Sequence, residues 1–455
     1  HTDLFSPGYL DCPLVGGQTV AISATARLAE DTPAGEEDLP EPAVVWSGPL
    51  KEARAIPLTD ALESAMRQFV VKRDDSLTVI AGYPWFLDWG RDTLICLRGM
   101  IAAGWHDECR DVLRQFARFE SQGTLPNMIR GDDDRNRDTS DAPLWFFVAC
   151  TDLLDAEGSD NLLSMNCDGR SLTDVLRSLA QSIMTGTPNG IVMDPASGLV
   201  YSPSHYTWMD TNHPAGTPRE GYPIEIQALW YRALSLLTRI DGKGGWEKTS
   251  ALVRESIPRL FGARQQEFLS DCLHAAPGTA AADAVPDDAL RSNQLLAVTL
   301  GAITDRSWCL RILESCSELL VPGGLRSLAD RPVRHPLPVH WGPALLNDPQ
   351  APYWGTYQGD EDTRRKPAYH NGTAWTWTFP SYPEALLMVH GEAARAWATA
   401  LLTSSLEFID TGCVGHVPEV ADGDAPHTWR GCGAQAWGAT ELYRVWRLAT
   451  EADPT

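Results

Sequence analysis

The sequence predicts an all-α fold of paired helices arranged in a ring, and two features of the chain support this prediction. From about residue 57, apolar residues recur with the 3.6-residue period of amphipathic helices. The connections between these helices alternate between short ones and long ones rich in Gly, Pro, Trp, Asp and Asn. Such alternation fits helical hairpins whose long loops gather at one end of the ring. Periodicity alone leaves an irregular helical bundle open as the alternative.

About twelve helices are predicted to follow one another along the chain. Their spans are roughly 57–73, 92–104, 106–121, 141–156, 171–186, 224–241, 245–262, 289–302, 304–320, 372–390, 391–409 and 433–450. The long connections are 74–91, 122–140, 187–223, 321–371 and 410–432. Long connections in a compact domain usually carry function, so we expect the functional residues there.

Residues 1–45 differ from the helical part, and we expect them to be the tail of a β-rich domain followed by an acidic linker. Residues 18–28, QTVAISATARL, alternate apolar with small or polar residues, as a strand does. Residues 30–42, EDTPAGEEDLPEP, are acidic and rich in proline. Because the chain begins with His1 rather than Met, we expect it to be a fragment or a processed chain. Residues 46–455 are then the second, helical domain.

Composition excludes several classes of partner. The chain has 60 acidic and 37 basic residues, a formal net charge of -23, so it repels phosphate backbones and no nucleic acid is expected. No long apolar run is present, so no membrane partner is expected. The 10 cysteines form no CxxC pair and no zinc-type spacing with histidine, which favours the free thiols of a cytoplasmic protein over disulfides. The sequence implies no metal and no cofactor, and it leaves the oligomeric state open.

The segment GYPWFLDWGRDT, residues 82–93, has a composition that suits a sugar site. It combines aromatic rings, carboxylates and a guanidinium within a few residues, and a pyranose presents C–H bonds to an aromatic face. Asp92 and Thr93 are candidates for capping the next helix. Capping does not account for Trp85, Asp88, Trp89 and Arg91.

Two carboxylates stand out as a catalytic pair. Asp210 lies between aromatic neighbours in YTWMDT, an environment that raises the pKa of a carboxyl, as a general acid requires. Glu419 lies in the loop before the last helix and, in a ring of helices, faces the same mouth. Glycoside hydrolysis uses one acid to protonate the leaving oxygen and one base to activate water. No GxSxG, GxGxxG, phosphate-loop or HExxH motif is present.

Five segments, in order, resemble the amylo-α-1,6-glucosidase domain of glycogen debranching enzymes, glycoside hydrolase family 133, over roughly residues 57–450. They are GYPWFLDWGRDT, TSDAPLWFF, YTWMDT…TPREGYPIEIQALWY, YHNGTAWTW and VPEVADGDAPHTWRGCGAQAWG. The resemblance implies that residues 46–455 form an (α/α)6 toroid of the glucoamylase-like, six-hairpin superfamily. It also implies inverting hydrolysis of the α-1,6-linked glucose at the branch points of glycogen or a limit dextrin.

The matched motifs assign roles residue by residue. The resemblance makes Asp210 the general acid and Glu419 the general base, with carboxyls roughly 6.5–9.5 Å apart so that a water fits between them. The other matched residues are implied to shape the glucose pocket. They are Trp85, Asp88, Trp89, Arg91, Asp92, Asn127, Asp141, Trp208, Arg219, Glu225, His370, Trp375 and Gln435.

The chain departs from the family pattern at positions that bear on substrate fit. It has Asp138 where the family usually has Asn, WTWT at 375–378 in place of WPWL, and Ala421 where an aromatic residue is usual. Two other functions remain open. One is another enzyme on the same toroid, an exo-acting α-glucosidase or a glycoside phosphorylase, although Glu419 argues against the phosphorylase. The other is a glycan-binding toroid without turnover, which the presence of both carboxylates disfavours.

Overall fold

The structure is a computed structural model that describes residues 57–131, 133–211, 216–242, 244–263 and 267–451. The predicted β-rich segment and linker at 1–45, and the first residues of the predicted second domain, lie outside the described residues.

Within these ranges the chain is mainly helical, as predicted. The α-helices are α1 Leu58–Phe69, α2 Gly90–Ala102, α3 His106–Arg118, α4 Ala142–Glu157, α5 Leu172–Thr185, α6 Ile224–Ile240, α7 Trp246–Phe261, α8 Leu295–Thr299, α9 Arg306–Cys316, α10 Lys366–Tyr369, α11 Ser381–His390, α12 Arg395–Thr403, α13 Leu406–Asp410 and α14 Ala436–Thr450. Each predicted helical span overlaps at least one of them.

Short strands occupy the connections between the helices. They are β1 Val70–Arg73, β2 Ser76–Val79, β3 Gly82–Tyr83, β4 Asp88–Trp89, β5 Met128–Arg130, β6 Asp133–Asn136, β7 Asn166–Cys167, β8 Arg170–Ser171, β9 Val192–Met193, β10 Val200–Tyr201, β11 Gly221–Pro223, β12 Cys272–His274, β13 Val285–Pro286, β14 Leu320–Val321, β15 Gly324–Arg326, β16 His340–Trp341, β17 Ala344–Leu345, β18 Ala374–Trp375, β19 Val420–Ala421, β20 Trp429–Arg430 and β21 Ala434–Gln435. The prediction of an all-α fold therefore needs a correction: the connections pair with one another, because buried backbone groups require hydrogen-bond partners.

Six helices contact one another in a closed cycle. Helix α2 packs on α4, α4 on α6, α6 on α8, α8 on α11, α11 on α14, and α14 on α2. Residues 90–101 of α2 are all buried, and α4 is apolar on every side, as expected for helices that are covered all round. Helices α1, α3, α5, α7, α9 and α12 each contact one or two members of this cycle. Helix α3, for example, buries a single face that includes Val112, Leu113 and Phe116.

Two predicted spans differ most from the structure, and the span 57–73 also ends in β1 from Val70 onward. The span 289–302 is a 3-10 turn, Ser292–Gln294, followed by the short α8. The span 372–390 becomes helical only at Ser381, because Ala374–Trp375 form β18 between β15 and β19.

The sheets gather the motif-bearing connections at one end of the helices. Strands β14, β15, β18, β19 and β20 form one sheet in that order. Strand β21 pairs with β3, so residues 434–435 lie beside residues 82–83. The motif segments precede or begin helices α2, α4, α6, α11 and α14 and are therefore brought together at the N-terminal ends of helices in the closed cycle.

The nine described cysteines are unpaired thiols, as predicted, and all of them except Cys413 are buried. A search of the described part of the chain finds no helix with the length and hydropathy needed to span a membrane.

Candidate active site

A pocket opens among the motif segments, with about 450 Å³ of empty space, part of it open to solvent. It is lined by Phe86, Trp89, Arg91, Asp92, Trp208, Asp210, Tyr369, His370, Trp375, Glu419, Gln435 and Trp437. The lining therefore comes from four separate stretches of the chain and combines three carboxyl groups with aromatic rings.

Asp210 reaches the pocket from the connection before α6. Its Oδ2 accepts a hydrogen bond from Arg91 Nη1 at 3.1 Å, and its side chain is 31% exposed. Burial raises the pKa of Asp210, while Arg91 opposes that rise by favouring the charged form. The raised pKa predicted from the aromatic neighbours is thus confirmed in direction. The neighbouring Trp208 is fixed by a hydrogen bond from its Nε1 to Asn293 Oδ1 at 2.7 Å.

Glu419 lies on the other part of the lining, immediately before β19, and is 2% exposed. Its Oε1 accepts a hydrogen bond from the Tyr369 hydroxyl, and its Oε2 accepts one from the Cys432 backbone N–H at 2.8 Å. Burial raises the pKa of Glu419 to about 7, although these hydrogen bonds favour its charged form. Gly431 leaves room for the carboxylate, since it adopts φ +66° and a Cβ there would lie 2.2 Å from Glu419 Oε2.

Asp92 is the third carboxyl of the pocket and lies in the first turn of α2. It does not cap that helix, because α2 begins at Gly90 and has no side-chain cap. Burial raises the pKa of Asp92 to about 8; Arg91 lowers it, and the charges of Asp210 and Glu419 raise it further. At neutral pH this carboxyl is therefore mainly protonated, so it can donate as well as accept a hydrogen bond.

Arg91 is oriented by Asp141, which lies at the N-cap of α4. Arg91 Nε donates to Asp141 Oδ2 at 2.7 Å, and Asp141 Oδ1 accepts a hydrogen bond from Thr139 Oγ1 at 2.7 Å. The guanidinium is 3% exposed and contacts Asp210 through a different nitrogen. Its rigid planar guanidinium thus links the N-cap of α4 to the Asp210 carboxylate.

Four buried polar atoms on the pocket lining have no hydrogen-bond partner among the protein groups that the structure describes. They are Arg91 Nη2, His370 Nε2, Gln435 Oε1 and Trp437 Nε1. The His370 imidazole is neutral, because burial and the charges of Arg291, Arg219 and Arg91 hold its pKa well below the ordinary value. Buried polar groups normally find partners, so these four atoms indicate a pocket built for a polar ligand.

The aromatic walls of the pocket support one another. The Trp208 ring lies edge-on to Trp375 and Trp377, each at a centroid distance of 5.1 Å. Trp377 stacks on Trp437 at 4.8 Å, and His370 stacks on Trp375 at 5.2 Å. These contacts hold the rings in fixed orientations, as binding a sugar by its C–H face requires.

The structure brings most of the predicted site residues to the pocket. Both predicted catalytic residues, Asp210 and Glu419, line it, and so do seven predicted binding residues: Trp89, Arg91, Asp92, Trp208, His370, Trp375 and Gln435. Six predicted binding residues lie outside its lining: Trp85, Asp88, Asn127, Asp141, Arg219 and Glu225.

Asp88 was implied to shape the glucose pocket, but the structure places it elsewhere. Its carboxylate is 2% exposed and accepts hydrogen bonds from Arg73 Nε and Thr78 Oγ1, both at 2.8 Å. Trp85 was also implied to shape the pocket, but its side chain is 53% exposed and lies outside the lining. It is 6.3 Å, between ring centroids, from Phe86, which does line the pocket.

Three other predicted binding residues lie outside the lining and hold the segments that carry it. Arg219 and Glu225 form a buried two-point ion pair with N–O distances of 2.5 and 2.6 Å. Arg219 also donates to Thr207 Oγ1 at 2.9 Å and so fixes the connection that carries Asp210. The backbone carbonyl of Asn127 accepts the Gly90 N–H at 2.9 Å, which fixes the start of α2.

Sequence analysis missed three lining residues, Phe86, Tyr369 and Trp437. Each lies within a motif segment and one or two positions from a predicted site residue or another motif aromatic. The signal was present, since all three are aromatic residues within the motif segments. Asp271, Arg291 and Asn293, which support the pocket from behind, lie in no recognised motif.

The described residues contain no group of three or more His, Cys, Asp or Glu side chains arranged to hold a metal ion.

Comparison with known proteins identifies a sequence family and a shared fold. A family model described as amylo-alpha-1,6-glucosidase matches residues 64–444. The glycogen debranching enzyme of Saccharomyces cerevisiae is 26% identical to this chain over an alignment that covers 34% of this chain and 14% of that protein. The chain thus matches only a small part of that much longer relative.

Solved structures share the fold at low identity. A mannosylglycerate hydrolase of glycoside hydrolase family 63 from Thermus thermophilus, in complex with glucose, is 13% identical, with a TM-score of 0.55 and coverage of 86% of this chain and 100% of that chain. A wild-type glycosidase is 12% identical, with a TM-score of 0.54 and coverage of 86% and 96%. A rhamnosidase from Klebsiella oxytoca with rhamnose bound is 14% identical, with a TM-score of 0.52 and coverage of 87% and 65%.

Proposed function

Because the chain belongs to the amylo-alpha-1,6-glucosidase family, we propose that it releases glucose from the α-1,6 branch points of a glycogen-like glucan by inverting hydrolysis. Glycoside hydrolase activity follows from the family itself. One observation carries the finer proposal: Asp210 and Glu419 line the same pocket as four buried polar atoms that have no hydrogen-bond partner among the described residues. The yeast relative, a glycogen debranching enzyme, supports the choice of substrate.

The reaction needs both carboxyls. Asp210, as general acid, donates its proton to the glycosidic oxygen while the bond from that oxygen to the anomeric carbon breaks. Glu419, as general base, accepts a proton from the water that attacks the anomeric carbon from the opposite face. The products are β-glucose and a glucan chain with a free 6-hydroxyl. This geometry requires the two carboxyls to be roughly 6.5–9.5 Å apart.

The remaining lining residues suit the binding of one glucose unit. Arg91 Nη2 and Trp437 Nε1 are hydrogen-bond donors, Gln435 Oε1 is an acceptor, and a protonated Asp92 offers both functions. The rings of Trp208 and Trp375 provide faces for the apolar side of a pyranose.

The closed cycle of six helices, with six others outside it, supports an (α/α)6 toroid for the catalytic domain, which we assign to residues 46–455. The unpaired thiols of the described cysteines support a cytoplasmic location. The proposed substrate is a branched, uncharged α-glucan.

Glucose release from a limit dextrin with single α-1,6-linked glucosyl branches tests the proposal. We expect the wild type to release β-glucose, observed by NMR before the anomers equilibrate. We expect Asp210→Asn and Glu419→Gln to lose about 10²–10⁴-fold in kcat. Release of α-glucose, or near-normal rates in either variant, would contradict the assigned mechanism. Rates on linear maltooligosaccharides equal to those on the branched dextrin would indicate a general exo-α-glucosidase rather than a debranching enzyme.

A substrate with an activated leaving group separates the two roles. Fluoride leaves without full protonation, so α-glucosyl fluoride bypasses the general acid but still needs the general base. We expect Asp210→Asn to recover most of its activity on this substrate and Glu419→Gln to remain inactive. The reverse pattern would exchange the two assignments.

A further inference from the structure

We propose that Tyr369 is a positioning residue for the catalytic base: its hydroxyl holds the Glu419 carboxylate in place and stabilises its charged form. The inference rests on the proposed function in one respect, the role of Glu419 as general base. Nothing in the sequence motifs assigned a role to Tyr369.

The contacts of Glu419 make Tyr369 the main partner of one carboxylate oxygen. The Tyr369 hydroxyl donates to Oε1, whereas Gln435 Nε2 is 3.5 Å from the same atom, at the limit of a hydrogen bond. The other oxygen, Oε2, accepts the Cys432 N–H at 2.8 Å. One donor on each oxygen fixes the plane of the carboxylate, and the remaining lone pairs are left for the attacking water.

Tyr369 is itself held firmly. Its ring lies among Trp375, His370 and Tyr357 at centroid distances of 4.8, 4.7 and 5.4 Å. Its carbonyl oxygen accepts hydrogen bonds from Trp375 Nε1 at 2.8 Å and from Thr373 Oγ1 at 2.5 Å. Burial and the nearby carboxylate hold the pKa of the Tyr369 phenol well above its usual value, so the hydroxyl stays protonated and acts as a donor.

Because of the charges and burial in the pocket, the ionisation of Glu419 depends on its hydrogen bond from Tyr369. The titratable groups that face Glu419 are Asp210 from the connection before α6, Asp92 from α2, Tyr369 and Tyr357 from the segment before β18, and Cys432 from the turn before β21. Burial and the Asp210 charge raise the pKa of Glu419, and the Tyr369 hydroxyl is the first of the groups that lower it. Without the hydroxyl, a smaller fraction of Glu419 is ionised at any given pH.

The pH profile of kcat/KM tests the inference. We expect the acidic limb of Tyr369→Phe to move to higher pH by about 1 unit relative to the wild type, because the charged base has lost a donor. We also expect most of the loss to fall on kcat rather than KM, with partial recovery of rate at high pH. An acidic limb at the wild-type position would overturn the proposal.

Tyr353→Phe is the matched control. Its hydroxyl donates to Asp424 Oδ1 at 2.9 Å, and the residue does not line the pocket. We expect the control to keep the wild-type profile. If the Tyr369→Phe protein does not fold, site-specific 3-fluorotyrosine at position 369 provides a second variant of nearly the same size. Its hydroxyl is a stronger hydrogen-bond donor, so we expect the acidic limb of the kcat/KM profile to shift to lower pH.

An NMR titration separates failure of this inference from failure of the proposed function. With ¹³C-labelled glutamate, the Glu419 carboxyl resonance is assigned by its absence in Glu419→Gln, and its pKa is read without any substrate. An unchanged pKa in Tyr369→Phe would overturn the positioning role whatever the substrate is. A raised pKa in an enzyme that releases no glucose would keep the positioning role and remove the debranching proposal.

Discussion

The three carboxyl groups of the pocket determine how protons are held there. Burial raises the pKa of Asp92, Asp210 and Glu419, and only Asp210 and Asp92 have the charge of Arg91 beside them to oppose it. The like charges of these carboxyls disfavour the fully ionised state, so the pocket retains protons at neutral pH. An acid–base pair needs one carboxyl protonated and one ionised, and a pocket that retains protons among three carboxyls is compatible with that requirement.

The buried carboxyl of Asp92 predicts a pH-dependent cost in stability. Its folded-state pKa of about 8 lies above the ordinary value, so its contribution to stability is fully present at low pH and is lost as the pH rises toward 8. Asp92→Asn removes that dependence. We expect the variant to gain Tm relative to the wild type, by about 2–4 °C at pH 8 and by less at pH 5, while losing activity on the branched dextrin. Thermal unfolding at the two pH values checks the prediction, and an equal gain at both would contradict it.

Trp437 offers a test of direct contact with the sugar. Trp437 and Trp377 stack on each other, and each has a buried Nε1 without a protein partner among the described groups, but only Trp437 lines the pocket. Trp437→Phe should lower kcat/KM about 10-fold, the effect of one lost hydrogen bond. Trp377→Phe, the matched control, should lower Tm and leave kcat/KM near the wild-type value. Similar kinetic losses in both variants would assign Trp437 to packing instead.

At the scale of elements, sequence periodicity predicted the helices better than the short strands that lie between them. Proline and a polar cap mark the start of α4, where Asp141 is the N-cap and Pro143 lies in the first turn. Strands of two residues, such as β18 and β19, are too short to show an alternating pattern, so the sequence could not reveal them. Nor does a motif show which way each of its side chains points. Asp88 and Asp92 lie in one motif, yet Asp88 contacts Arg73 and Asp92 lines the pocket.

Helix α2 is joined to its neighbours by a buried arginine, which predicts a large loss of stability. Arg98 Nε is 2.9 Å from Asp152 of α4, and its Nη1 is 3.2 Å from Glu441 of α14. Arg98→Met leaves both carboxylates without this partner, and we expect it to cost about 3–5 kcal/mol in the free energy of unfolding. Arg110→Met, which breaks a half-exposed pair with Glu157, should cost about 1 kcal/mol or less. Denaturant unfolding of both variants checks the difference, and similar costs would contradict it.

At the scale of the whole molecule, the pocket depends on contacts between distant parts of the chain. Strand β21 pairs with β3 across about 350 residues, and the pairing of Ala434 with Tyr83 brings Gln435 and Trp437 beside the segment that carries Trp89 to Asp92. The order of motifs along the sequence predicted that these segments belong to one site. The sequence did not predict which side chains of each segment line it, because that depends on the pairing.

The exposed ring of Trp85 predicts how a polymer meets the mouth of the pocket. Trp85 lies beside Phe86, which lines the pocket, and its exposed ring offers a face on which glucosyl units of the main chain can stack. Trp85→Ala should raise KM for the branched dextrin about 3–10-fold, since such a contact is worth about 1 kcal/mol, and should leave the rate on α-glucosyl fluoride unchanged. Trp397→Ala, in α12, removes another exposed tryptophan away from the pocket lining and should change neither. Equal effects of Trp85→Ala on the branched dextrin and on α-glucosyl fluoride would place Trp85 in the glucose pocket itself. No effect on either substrate would show that Trp85 does not contact the substrate.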